Sequence, residues 1–196
     1  MAKLVFIDTE TTGLDPTRHE IIEIAAIIVN EDGSKQYWHK RIAPKHIATA
    51  DPVALEINGY TPEGWADAPL FCDMVNVIGI MLNDAILVGH NVAFDIAFIE
   101  RAFKRCGHRI PRWRGVDTIT LVHEHLTPIG LSGLSMDKVR AYLGWIRPTA
   151  HTAATDVQDC YDLYNLLVRI SVWRRFCLFI GHMYRRWRDK STDKNR

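Results

Sequence analysis

The sequence has few cysteines, no long apolar run near Met1 and no internal repeat or low-complexity linker. The apolar run at residues 4–7 is too short for a signal peptide or a membrane span, so we expect a cytoplasmic protein without membrane contact. The cysteines are far apart and contain no C-x-x-C pair, which predicts reduced thiols. They are Cys72, Cys106, Cys160 and Cys177.

Charge is unevenly distributed along the 196 residues, although the net charge is only +1. Residues 171–196 contain eight Arg or Lys and two Asp, a surplus of six positive charges. The rest of the chain therefore carries about five net negative charges, which suits a protein that gathers carboxylates around a cation. We predict a catalytic domain at residues 1–170 and a basic amphipathic C-terminal helix and tail at 171–196.

Apolar periodicity changes along the chain from the pattern of strands to that of helices. Strand-like runs at residues 4–7, 21–30 and 35–42 come first, and Asp32-Gly33 is a hairpin signal between the last two. Helical spacing at residues 70–82 and 96–103 then alternates with short strand-like segments near residues 86–88 and 116. This order predicts an α/β fold with a mixed five-stranded sheet, three antiparallel strands and then parallel ones, flanked by helices.

Four carboxylates follow strand ends or lie at helix starts. Asp8 and Glu10, two residues apart at the end of the first strand, share one face and repel each other unless a cation lies between them. Asp95 and Asp156 are predicted at helix starts, where open α/β sheets place ligands. Mg²⁺ prefers oxygen ligands, and two ions roughly 3.5 to 4 Å apart stabilise phosphoryl displacement.

A histidine supplies a candidate base for this chemistry. His151 precedes Asp156 by five residues, which is about one and a half helical turns or the loop before them. Imidazole accepts a proton near neutral pH, so His151 is suited to activate water beside a cation.

The segments around these residues resemble the three exonuclease motifs of the DEDD superfamily. They are Phe-Ile-Asp-Thr-Glu-Thr-Thr-Gly-Leu at residues 6–14, Gly-His-Asn-Val-Ala-Phe-Asp at 89–95, and His151 with Asp156. The histidine at this spacing is similar to the DEDDh branch, which includes DnaQ-like proofreading subunits of bacterial DNA polymerases, ribonuclease T and oligoribonuclease. The resemblance covers residues 3–170.

The resemblance implies a ribonuclease H-like fold and a 3′–5′ exonuclease that releases nucleoside 5′-monophosphates with two divalent ions, Mg²⁺ or Mn²⁺. It implies that Asp8, Glu10, Asp95 and Asp156 bind the metals and that His151 is the general base.

The resemblance also implies which residues bind the substrate. Thr11 and neighbouring backbone amides would hold the 3′-terminal nucleotide, and Leu14 would wedge against its base. His90 and Asn91 would line the site.

Three functions remain open at this point. The first is an exonuclease acting on single-stranded or frayed 3′ ends of DNA. The second is a 3′–5′ exoribonuclease, because the motif itself does not read the 2′-hydroxyl. The third is an accessory proofreading subunit that binds a polymerase or another protein partner through residues 171–196; a homodimer is a further alternative.

Several other residues are interpreted structurally. Glu23 is predicted to form a salt bridge or to lie at an exposed strand position, and His123 and His125 to lie on the surface or at a helix end. Core or rim packing, rather than stacking on bases, is predicted for four aromatic residues. They are Tyr60, Trp65, Trp113 and Trp145.

The apolar residues of the C-terminal segment recur at helical spacing and alternate with arginines. Three interpretations compete: packing on the catalytic domain with an arginine-rich outer face, an arm that binds phosphates, or docking to a partner or an anionic membrane.

Overall fold

A computed structural model describes residues 3–146 and 152–193, with side chains up to residue 186. Five strands form one sheet, and they are β1 (Leu4–Thr11), β2 (Ile21–Val29), β3 (Lys35–Arg41), β4 (Ala85–Gly89) and β5 (Trp113–Asp117). Their order in the sheet is β3-β2-β1-β4-β5. The first three strands pair antiparallel, whereas β4 and β5 run parallel to β1, so the predicted mixed sheet is confirmed.

Seven α-helices lie in the described residues. They are α1 (Pro52–Ile57), α2 (Phe71–Leu82), α3 (Val92–Arg105), α4 (Thr118–His125), α5 (Met136–Leu143), α6 (Ala153–Val168) and α7 (Val172–Asp193). Three short 3₁₀ segments lie at Ile47–Thr49, Glu63–Trp65 and Thr127–Ile129. Helix α1 was not predicted, because it is too short to show an apolar period. Its start is nevertheless encoded locally, because the Asp51 side chain accepts a hydrogen bond from the Val53 N–H and Pro52 begins the helix.

The main core lies on one face of the sheet, beneath α2 and α3. Val5 and Ile7 of β1 and Leu87 of β4 are fully buried there, with Ile78 and Phe98 from the two helices. Because side chains alternate along a strand, Phe6, Asp8 and Glu10 point to the opposite face of β1. One face of β1 therefore packs in the core, and the other carries the candidate site residues.

The chain folds into two compact units. The first consists of Met1–Asp117 and Thr149–Tyr161, and the second of Thr118–Pro148 and Asp162–Arg196. The second unit has its own core, which includes Val122, Leu126, Val139 and Leu163. The predicted functional division at residue 170 stays a prediction. Across residues 3–146 and 152–193, no helix combines the length and the apolar character needed to traverse a bilayer.

One expectation about the cysteines is wrong. Cys72 and Cys106 form a disulfide, with their Cα atoms 5.4 Å apart. Cys72 lies in the first turn of α2 and Cys106 follows the last residue of α3, so packing of these two helices brings together thiols that are 34 residues apart in sequence. Cys160 is a buried free thiol and Cys177 an exposed one, as predicted.

Candidate active site

Three of the predicted ligands meet above the end of β1. One ligand atom from each of Asp8, Glu10 and Asp156 lies within 4.8 Å of the others. Asp156 comes from the first turn of α6. Five residues further along this helix, the ring of Tyr161 meets the ring of Phe6 edge-on at 5.0 Å. This contact packs α6 against the face of β1 that carries Asp8 and Glu10.

The fourth predicted ligand is held beside this trio by a threonine. Asp95, in the first turn of α3, is only 4% exposed. Its Oδ1 atom accepts hydrogen bonds from the Thr9 backbone N–H at 2.9 Å and from the Thr9 hydroxyl at 2.7 Å. Asp95 is not a member of the 4.8 Å trio, but its charge acts on Asp8. The structure thus brings all four predicted carboxylates into one neighbourhood.

The crowding of negative charge changes the acidity of the site. Burial raises the pKa of Asp8 well above its usual value, and the charges of Asp95, Asp156, Glu10 and Glu23 raise it further. The pKa of Glu10 is raised to about 8, first by burial and then by Asp156, Glu23 and Asp95. Half-buried carboxylates that repel one another in this way form a set of hard oxygen donors for divalent cations. The donor set therefore fits the predicted metals.

Asp95 has a different balance of effects. Burial raises its pKa to about 7, although both hydrogen bonds from Thr9 lower it. The charge of Asp117, at the end of β5, adds to the increase. Hydrogen bonds to the charged form of Asp95 thus offset only part of the increase in its pKa that burial causes.

The loop after β1 contains two predicted substrate-binding residues. The Thr11 hydroxyl donates to the Gly13 carbonyl at 2.7 Å, and the Asn58 side-chain amide donates to the Thr11 carbonyl at 2.8 Å. Leu14 is 80% exposed, and its role as a wedge stays a prediction. Gly13 has a φ of 153°, and a Cβ there would lie 2.5 Å from the His19 ring. Only glycine therefore fits this loop as it is folded.

His90 and Asn91 lie where β4 passes into α3. Asn91 has a left-handed backbone with φ of 73°, and its N–H donates to Asp117 Oδ1 at 3.0 Å. A Cβ at Gly89 would lie 2.9 Å from the Val92 Cβ, so glycine permits the tight entry into the helix. The predicted role of His90 and Asn91 in substrate binding stays a prediction.

Glu23 has the predicted structural partner, and it also influences the site. Its Oε1 atom lies 2.8 Å from His39 Nε2, and Glu23 is buried. Because Glu23 pairs with Glu10 across β1 and β2, its charge also raises the pKa of Glu10. The sequence analysis did not predict this proximity.

The remaining alternatives are resolved as packing. Trp65 is buried and donates from Nε1 to the Ile22 carbonyl at 2.8 Å, and Tyr60 contacts its ring. Trp113 packs on the main core and Trp145 on the second one. His123 and His125 lie in the last turn of α4, as predicted. Within the described ranges, the only cluster able to hold a metal is Asp8, Glu10 and Asp156.

His151 lies outside the described residues, so its role as base stays a prediction. The contributions of Thr9 and Asn58 were not predicted. The sequence did contain a signal for Thr9. Side chains alternate along a strand, so Thr9 lies on the face of β1 opposite to Asp8 and Glu10. That face is buried, and a buried hydroxyl needs a hydrogen-bond partner. Asn58 was missed together with α1, which it follows.

The chain matches the family model RNase_T, described as exonuclease, over residues 5–164. It is 26% identical over 161 residues to the DNA polymerase III subunit epsilon of Treponema pallidum (strain Nichols), which covers 82% of this chain and 74% of that protein. The same subunit of Escherichia coli (strain K12) is 28% identical over 173 residues, with 84% and 70% covered.

Solved structures of E. coli exonuclease I share the fold. The complex with a dT13 oligonucleotide has a TM-score of 0.75 at 19% identity and covers 92% of this chain and 43% of that one. The complex with a dA16 oligonucleotide has a TM-score of 0.72, with 93% and 44% covered. This chain therefore spans less than half the length of exonuclease I. The likeness confirms the predicted ribonuclease H-like architecture.

Proposed function

The chain belongs to the exonuclease family RNase_T, and on that premise we propose that it removes nucleotides from single-stranded or frayed 3′ ends of DNA. Family membership confirms the predicted class of enzyme, a 3′–5′ exonuclease. The observation that carries the proposal is the trio of Asp8, Glu10 and Asp156, whose ligand atoms lie within 4.8 Å of one another on a strand end.

We assign the metal-binding role to the trio together with Asp95. Two divalent cations, Mg²⁺ or Mn²⁺, would neutralise the repelling carboxylates and supply Lewis-acid stabilisation of the phosphate charge that develops during hydrolysis. Thr9 positions Asp95 through two hydrogen bonds to one carboxylate oxygen. The proposal is supported by β1, α3 and α6, which bring these four carboxylates into one neighbourhood.

The remaining roles belong to residues that touch substrate or water. His151 accepts the proton of the attacking water, whose oxygen forms the new bond to phosphorus. The bond from phosphorus to the 3′ oxygen of the preceding nucleotide breaks, that oxygen takes a proton from a solvent water, and a nucleoside 5′-monophosphate is released. Leu14, which is exposed, contacts the terminal base, and Thr11 holds the terminal nucleotide.

The names of the relatives support DNA over RNA as the substrate. Two of them are subunits of DNA polymerase III, and the solved structures with the same fold hold DNA oligonucleotides. Association with a polymerase is proposed on the same ground, with a cytoplasmic location. The RNA alternative is tested together with the main proposal.

The test compares three labelled substrates of one sequence: single-stranded DNA, duplex DNA and single-stranded RNA. With Mg²⁺ or Mn²⁺, we expect a 5′-labelled DNA strand to shorten stepwise from its 3′ end, with nucleoside 5′-monophosphates as products. Single-stranded DNA should be degraded fastest. Faster degradation of RNA would replace DNA by RNA as the substrate.

The matched controls distinguish the loss of a site carboxylate from a general effect of the substitution on folding. Glu10→Gln should stop hydrolysis, whereas Glu31→Gln, which changes an exposed carboxylate in the β2–β3 turn, should not. Turnover of the wild type in excess chelator would disprove the metal mechanism.

A further inference from the structure

Helix α7 packs on its own unit through one side. Leu178 contacts the second core, the His182 ring stacks on the Tyr142 ring at 4.4 Å, and Arg185 donates to the Tyr142 carbonyl. Residues 178, 182 and 185 follow each other at the spacing of one helical face. This face anchors the helix and leaves the opposite one to solvent.

The opposite face of α7 is apolar and exposed. We call this set the apolar stripe, and it consists of Val172, Trp173, Phe176, Ile180 and Met183. Their exposed fractions lie between 48% and 83%. The spacing of three and four residues places them on one side of the helix, about half a turn from Leu178. This exposure does not support packing of these side chains on the body, one of the three interpretations from the sequence.

Only positive charge accompanies the apolar stripe. The sequence has no carboxylate between Asp162 and Asp189, whereas six arginines lie in that interval. Arg175 and Arg186 are eleven residues apart, which is about three helical turns, so both lie along the same edge of the stripe. An occupant of this surface must combine an apolar region with negative charge.

A second copy of this chain does not meet that requirement. If two stripes paired antiparallel about a point between Ile180 and Gly181, Arg175 of one copy would lie beside Arg186 of the other. Between Arg175 and Arg186 the sequence has no carboxylate that could compensate this repulsion.

Single-stranded nucleic acid offers phosphates to the arginines but no apolar surface to the apolar stripe. Bases stack on aromatic rings, yet Val172, Ile180 and Met183 are aliphatic or thioether side chains. Their burial requires an apolar phase, which a polynucleotide does not offer.

We propose that the apolar stripe of α7 binds the surface of an anionic lipid bilayer. The helix would lie in the plane of the interface, with the stripe in the acyl boundary and Arg175 and Arg186, at its edge, on lipid phosphates. Tryptophan and arginine both suit this depth, since each joins an apolar body to a polar end. This revises the expectation of no membrane contact, and it does not depend on the proposed nuclease function.

The test is flotation of the full chain with two kinds of vesicle. One contains phosphatidylcholine alone, and the other equal parts of phosphatidylcholine and phosphatidylglycerol. We expect binding to the anionic vesicles to be at least roughly ten-fold tighter, and to weaken at high salt. The double variant F176S/I180S should lose at least about ten-fold in this affinity.

The matched control is Ile80→Ser, which makes the same type of change at a 77% exposed position on α2. It should leave vesicle binding intact, and all variants should keep the nuclease rate on a short oligonucleotide and the wild-type circular dichroism. The proposal is overturned if F176S/I180S floats like the wild type or if neither vesicle binds the wild type. It is also overturned if the double variant abolishes self-association or DNA binding instead of vesicle binding.

Discussion

The acidic trio and the apolar stripe of α7 each hold side chains in an environment that does not suit them: charged groups are half-buried in the trio, and apolar groups are exposed in the stripe. The trio brings carboxylates together where burial and mutual repulsion penalise their charge. The stripe exposes apolar side chains, among them Trp173 at 73%, where water penalises their surface. Each arrangement costs stability in the isolated chain, and each becomes favourable when a complementary species binds: cations in one case, an apolar anionic surface in the other.

The largest effect is expected when one of the three carboxylates of the trio is removed. Asp8→Asn should lower the exonuclease rate by on the order of 10⁴-fold, because the site loses a carboxylate that holds catalytic cations. The same change should not destabilise the metal-free protein at pH 8, since it removes a repelled charge. Rate assays and urea denaturation measure the two effects, with the exposed Asp67→Asn as control.

The second largest effect is expected from the proposed base. His151→Ala should lower kcat by roughly 10² to 10⁴, the usual value of a positioned proton acceptor. Binding of Mn²⁺, measured by calorimetry, should be retained because the carboxylates are unchanged. The control is the exposed His123→Ala, and a loss of only a few-fold at His151 would point to a different base.

The repulsion within the trio predicts how stability depends on pH. The folded pKa of Glu10 is raised from 4.5 to about 8, so the folded chain retains a proton that the unfolded chain releases. In chelator, stability should therefore fall as pH rises from about 4.5 to 8, and solvent screening of this partly exposed group limits the loss to on the order of 2 kcal/mol.

Urea denaturation at several pH values checks this dependence. Mg²⁺ should stabilise the protein more at pH 8 than at pH 5, and Glu10→Gln should flatten the slope in chelator. A metal-free protein that becomes more stable between pH 5 and pH 8 would contradict the proposed repulsion.

The smallest effect on stability is expected from a substitution in the apolar stripe. Phe176→Ala should change the free energy of unfolding by less than about 1 kcal/mol, because the ring is 52% exposed. Phe103→Ala should cost about 3 to 5 kcal/mol, because that ring is 2% exposed in the main core. Equal losses in thermal or urea denaturation would show that the stripe is covered within the chain.

Features encoded over short stretches were predicted well. The helix expected at residues 70–82 is α2 (Phe71–Leu82), and the period of two correctly placed Asp8 and Glu10 on one face of β1. The helix expected at residues 96–103 begins earlier, at Val92, since Asn91 enters it from a left-handed backbone without a side-chain cap. Asn91 is of a residue type that commonly caps helices, but its side chain makes no capping hydrogen bond here.

The sequence by itself thus determined the strands, most helices, the candidate ligands and the amphipathic character of residues 171–196, because each depends on residue type and spacing within a few turns. Only the tertiary structure decided that Cys72 reaches Cys106, that Thr9 holds Asp95, and that α7 packs through Leu178 and exposes Trp173. These outcomes depend on which elements become neighbours, and neighbours in space are set by the packing of the whole chain rather than by local spacing.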